Sequence, residues 1–175
     1  MRRLIVDGYN VLHAHPAYAI LAEQDLDAAR ARLVADLAGL AQGGPRVTVV
    51  FDGGGNPNSD GAPHHLGSLT VIFSRAGQTA DTLVESLAAR SRERGEDAIV
   101  ITSDAETRQA VLGARVSVLS AANFVDLLDD AATARTEAGQ AGARRVPVDE
   151  RIDADVREVL AAWARGRPPT SGKPR

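Results

Sequence analysis

No cysteine occurs in the 175 residues, which excludes disulfides, zinc–thiolate centres and thiol nucleophiles. A reducing, cytoplasmic setting is the one expected. Aromatic residues are nearly as scarce: three Phe, two Tyr and one Trp. The core of a single domain of this length must then be built from Ala, Val, Leu and Ile. Of the twenty basic residues only Lys173 is not arginine. Arginine suits bidentate phosphate contacts, but in a chain this rich in Ala and Gly it points first to a genome-wide base bias. Long apolar runs are missing too. The N-terminal run stops at Asp7, too short for a signal peptide or a membrane span. Gly53-Gly54-Gly55 lacks the Gly-Lys-Ser/Thr ending of a nucleotide-binding loop and the spacing of a dinucleotide fingerprint. There is no serine-nucleophile motif. No second acid stands two residues after Asp7, as an aspartyl-phosphate phosphatase would need.

What is present is a repeated pattern. Leu4-Ile5-Val6 runs into Asp7-Gly8-Tyr9-Asn10, and reads as a buried strand over 3–7 ending at a tight turn. Val47 to Phe51 runs into Asp52-Gly53, and Ala98 to Ile101 into Thr102-Ser103-Asp104. Further strands are predicted at Leu69–Phe73 and Val116–Leu119. Helices are predicted from Leu26 to Leu40 (capped by Asp25 or Asp27), from Thr79 to Arg94, over 104–112 and over 121–138. Residues 53–67, rich in Gly, Pro, Asn and His, read as an exposed loop. His64 and His65 are expected to be solvated there, with His13 and His15 no better placed for a transition metal. Strands alternating with helices imply βαβ units around a mostly parallel sheet. A domain over 1–138 is therefore expected, then a basic linker and an amphipathic helix over 139–165, packed on or beside it. A disordered Pro-rich tail over 166–175 follows.

Acids at three strand tips fall at the sheet edge where open α/β proteins bind ligands. Asp81, in the first turn of the helix capped by Thr79, approaches the same edge. Each acid has a local explanation: a first-turn charge for Asp81, an N-cap for Asp104, an Asp-Gly turn for Asp52. Asp7 has none, since a strand tip needs no carboxylate. Two carboxylates about 4 Å apart repel by ~4 kcal/mol at an effective dielectric near 20, or roughly three pKa units. Three or four together require a cation. An all-oxygen site suits Mg²⁺ or Mn²⁺, and points to phosphodiester hydrolysis by a metal-activated water. Asn10 would orient Asp7 or a phosphate, or simply cap the turn. Thr102 and Ser103 would hold a water or phosphate, or satisfy local backbone. Tyr9 would stack on a base or pack. Charge is uneven: residues 131–175 carry nine basic and six acidic side chains, a net of +3, so the remainder carries −6.

These residues together resemble a known group. Val6-Asp7-Gly8-Tyr9-Asn10-Val11-Leu12, Val49-Val50-Phe51-Asp52, Val71-Ile72-Phe73-Ser74, Thr79-Ala80-Asp81 and Thr102-Ser103-Asp104 are similar, in order and spacing, to the YacP-like NYN-domain proteins of bacteria. The resemblance covers about residues 3–130, and the helix around Val159 to Trp163 looks like the group's C-terminal extension. It implies a three-layer α/β/α PIN-like fold whose five strands lie in the order 3-2-1-4-5. It also implies a divalent-metal-dependent endoribonuclease acting on single-stranded RNA, with mRNA on the ribosome as the setting. By position Asp7 and Asp81 match the core metal ligands, Asp104 and Asp52 come next, and Asn10 completes the motif. The loop 53–67 lacks the Lys and Arg common in this group. Arg75, Arg108, Arg144, Arg145 or the tail would have to meet RNA phosphates instead. A non-catalytic RNA- or ribosome-binding module and a small metal-dependent phosphoesterase are the rival readings.

Overall fold

The computed structural model describes residues 3–42, 44–54 and 59–140. The expected linker, terminal helix and tail, with Arg144 and Arg145, lie outside the described residues. The elements are β1 (Arg3–Asp7), α1 (Gly8–Ala14), α2 (Pro16–Gln24), α3 (Leu26–Ala41), β2 (Arg46–Phe51), β3 (Pro63–Leu66), β4 (Leu69–Phe73), α4 (Ala80–Glu93), β5 (Ala98–Ile101), α5 (Ala105–Val111), β6 (Val116–Leu119) and α6 (Ala121–Gln140).

The sheet order is β3-β4-β2-β1-β5-β6. The pairs β1–β2, β1–β5, β2–β4 and β5–β6 are parallel. The five strands read from apolar runs therefore stand in the expected order. Residues 53–67 are not loop throughout, because β3 adds an antiparallel edge strand, with His64 opposite Val71 and Leu66 opposite Leu69. An edge strand buries little, so β3 shows no apolar run. Pro63 at its first position is tolerated because an edge need not donate every N–H.

Helices cover both faces. On one, Val6, Val49, Phe51 and Phe73 meet Val11, Leu12, Leu33, Leu37 and Phe124. On the other, Ile5, Val50 and Val100 meet Val84, Leu87 and Ala88 of α4 and Val111 of α5. Alternation along β1 puts Arg3, Ile5 and Asp7 on this second face. Among the described residues no helix is long and apolar enough to cross a membrane.

One local expectation is corrected. The turn after Asp7 is the start of a helix: Asp7 is the N-cap of α1, and its side chain accepts from the Asn10 amide. Gly8 is needed for space, since a Cβ there would collide with the Phe51 ring. α2 follows at once, capped by His15 with Pro16 in its first turn. The two helices together are too short and too weakly amphipathic to show as a clear 3.6-residue period. Other caps fall as expected, with Asp25 on α3 and Thr79 on α4.

Candidate active site

Strand order turns local caps into one site. β1 and β5 are neighbours, and the connections from their tips leave toward opposite faces of the sheet. Asp7 ends β1 and is 3% exposed. Its Oδ1 accepts from the Asn10 amide at 3.1 Å and its Oδ2 from Asn10 Nδ2 at 2.6 Å. Asn10 Oδ1 in turn accepts from the Ser103 amide at 3.1 Å. One side chain thus ties the tip of β1 to the residues after β5, across the switch point. Asn10 holds Asp7 rather than capping a turn, and Asp7 does have a role in the fold as a cap. A cap works as well with Asn or Ser, however, and does not require a charge out of water.

That charge is costly. Burial pushes the Asp7 carboxyl above the ordinary carboxylate range; the Asn10 hydrogen bonds oppose the shift, and the Asp81 charge adds to it. Asp81 stands half-buried in the first turn of α4. Its Oδ1 accepts from Thr107 Oγ1 at 3.0 Å. The Thr107 amide donates to Asp104 Oδ1 at 2.7 Å. Asp104 caps α5, and the Thr107 hydrogen bonds hold it below the usual carboxylate range. Thr107, 1% exposed, therefore links Asp81 to Asp104. It went unnoticed in the sequence, although an N-cap followed three residues later by a hydroxyl is a readable signal.

The other expected residues divide clearly. Asp52 accepts from the Gly54 amide through Oδ1 and from the Ala80 amide at 3.2 Å through Oδ2, so it anchors the N-terminus of α4 to the tip of β2. Thr102 Oγ1 accepts from the Asp104 amide and Ser103 Oγ from the Ala121 amide, each at 3.1 Å; both satisfy backbone. Tyr9 packs edge-on against Phe51, with ring centroids 5.8 Å apart. Arg75 Nε donates to the Asp60 carbonyl at 2.8 Å, and Arg108 is exposed on α5. Arg30 was not anticipated: it is 7% exposed, pairs with Asp27, and donates to the Tyr9 hydroxyl.

The donors near Asp7 are all oxygens, the chemistry a hard cation prefers. Among the described residues no group of three or more His, Asp or Glu side chains is gathered closely enough to hold an ion by itself. Asp7, whose carboxyl feels the Asp81 charge, offers the oxygen chemistry that Mg²⁺ or Mn²⁺ prefers. Magnesium commonly takes one or two carboxylates and completes its shell with water and substrate phosphate.

A mostly parallel sheet covered by helices on both faces, with Asp7 and Asn10 at its switch point, is a PIN-like architecture. The chain belongs to the YacP-like NYN domain family, whose model matches residues 4–165. The crystal structure of Rae1 (YacP) from Bacillus subtilis aligns with a TM-score of 0.61 at 27% identity, covering 95% of this chain and 96% of that one. A mutant of the same protein aligns with a TM-score of 0.67 at 26% identity, covering 93% and 99%. Comparison with curated protein sequences gives no significant match.

Proposed function

We propose that this protein is a divalent-metal-dependent endoribonuclease that cleaves single-stranded RNA by hydrolysis. The observation that carries the reading is the buried Asp7, held by Asn10 at the switch point with the Asp81 charge acting on it. A buried carboxylate beside a second one is retained at a cost, and a cation offsets that cost. Membership of a PIN-like nuclease family supplies the substrate class.

Asp7 and Asp81 are the residues that would hold Mg²⁺ or Mn²⁺. Asp104 faces the same edge through Thr107, and Asp52 contributes by fixing α4, which carries Asp81. When bound, the ion supplies positive charge to the scissile phosphate and to an attacking water. Asn10 fixes the Asp7 carboxylate in one rotamer. The tip of β1 and the N-terminus of α4 would present Asp7 and Asp81 to the ion and the scissile phosphate. Positive charge is sparse at this edge, so the acidic site by itself holds RNA weakly and the substrate is positioned from elsewhere. Ribosome-borne mRNA in the cytoplasm is the substrate the family resemblance favours.

Incubating the full chain with single-stranded RNA and Mg²⁺ or Mn²⁺ tests this. Internal cleavage that is lost with EDTA, and lost in both Asp7→Asn and Asp81→Asn while each stays folded, is the expected result. Full activity in either variant overturns the assignment. RNA binding without cleavage in any metal would make the chain a binding module, and hydrolysis of small phosphoesters alone would make it a phosphoesterase.

A further inference from the structure

Positive charge in the described domain gathers at the opposite edge of the sheet. Arg3 opens β1 and Arg46 opens β2, and the two are register partners on adjacent parallel strands, so their side chains leave the same face. Arg90 and Arg94 stand one turn apart at the end of α4, which packs on that face. Arg46, Arg90 and Arg94 are all exposed. Burial pushes the Arg3 guanidinium down; the Glu96 charge opposes it, and the smaller effects of Arg94, Arg46 and Arg90 add to it. The pairing of Arg3 with Arg46 in register and the packing of α4 on the same face bring cations of three elements to one edge.

The acids at this edge neutralise only part of the charge, at Arg3 above all. Glu96 reaches Arg3 at 3.9 Å, and Asp97 is paired with Arg115 at 3.2 Å. Glu93 falls on the side of α4 opposite Val84, Leu87 and Ala88. Arg90 and Arg94 partly offset the C-terminal dipole of α4. Arg3 and Arg46 belong to strands and have no such role.

We infer that Arg46, Arg90 and Arg94, with the Glu96-paired Arg3 behind them, form an RNA-backbone-binding surface at the amino-terminal edge of the sheet, distinct from the acidic site at the other edge. Guanidinium groups grip phosphate oxygens bidentately, and an exposed cluster drawn from β2 and the end of α4 can follow a run of phosphates. The inference rests on the ribonuclease reading for its choice of polyanion. Arg3 and Asp7 are about 13 Å apart along β1, by the rise of an extended strand. One RNA molecule can therefore touch both edges. The acidic edge repels RNA until a cation is bound, and this edge attracts it without one.

The test is binding of a short fluorescent single-stranded RNA to the full chain in EDTA, by anisotropy over a range of salt. Arg46→Glu/Arg90→Glu should weaken binding at least about tenfold at low salt. It should also flatten the salt dependence by about 1.4 log units per log unit, since two phosphate contacts are lost at ~0.7 each. Arg46→Gln/Arg90→Gln should show the same direction with a smaller loss, which guards against misfolding of the reversal. Arg32→Glu, on the exposed surface of α3, should bind like the unaltered chain. Unchanged affinity and slope in both double variants overturn the inference, as does an unaltered chain that binds no RNA. Metal-dependent cleavage by the unaltered chain is scored separately, so either conclusion can fail while the other stands.

Discussion

The junctions at the ends of β1 and β5 are built alike and behave in opposite ways. Each strand ends in an aspartate that caps the next helix, Asp7 for α1 and Asp104 for α5. Each carboxylate accepts from the amide three residues on, Asn10 or Thr107. Yet burial pushes Asp7 up, whereas hydrogen bonds to the more open Asp104 hold it down. The residue after the cap differs to match, with Gly8 pressed against Phe51 and Ala105 exposed. Capping explains the whole of Asp104's behaviour and only part of Asp7's. The excess, a buried carboxylate on which the Asp81 charge acts, marks the centre of the proposed chemistry.

The largest expected break in this symmetry is in activity. Asp7→Asn keeps a competent cap but should lower RNA cleavage at least about a thousandfold, as removing an electrostatic group at the reacting centre does. Asp104→Asn should cost only about ten- to hundredfold, the scale of a supporting group. Equal losses in single-turnover cleavage would erase the distinction.

Thr107→Val comes next. It removes the hydroxyl that joins the two sides while leaving the amide bond to Asp104. The Mn²⁺ needed for half-maximal cleavage should rise about tenfold, and Thr107→Ser should restore it. A matching effect on thermal stability but none on the metal requirement would make the link purely structural.

Gly8→Ala should destabilise the fold by about 1–3 kcal/mol through overpacking against Phe51. Ala105→Gly, at the matching position of α5, should cost under about 1 kcal/mol. Urea denaturation of both variants reads the difference directly.

The smallest effect is in the pH dependence of stability, and its sign differs between the junctions. Asp7 has a raised folded pKa, so its contribution is fully present below the unfolded value near 4 and is lost as pH rises through the folded value. Asp104 has a lowered folded pKa, so its contribution is present above about 4 and is lost as pH falls toward the folded value. Melting at neutral and acid pH should therefore show Asp7→Asn gaining on the unaltered chain as pH rises. Asp104→Asn should fall behind it over the same rise. Parallel pH profiles for the two variants would refute the contrast.

Much of this was legible in the residues alone. Apolar runs such as Leu4-Ile5-Val6 and Ala98 to Ile101 announce buried strands because a parallel sheet is covered on both faces. Thr79 and Asp25 are read as caps because capping acts over three residues of chain. β3 was hidden because an edge strand has no apolar signature. α1 was hidden because Asp7-Gly8 reads equally well as a turn, and only the position of Phe51 shows why a glycine opens that helix.

Two things, then, were set by sequence alone: the order of the five parallel strands along the chain with the helices α3 to α6 between and after them, and the acids at their ends, both products of local periodicity and capping. Which acid is buried was not, since Asp7 and Asp104 both stand at strand tips and burial is not a local property. Only the packed structure separates them, together with the Asn10 bridge to Ser103, the Thr107 link from Asp81 to Asp104 and the arginines at the far edge. These depend on burial and on contacts between residues far apart in the chain. Strand order and helix packing create both, and neither leaves a period in the sequence.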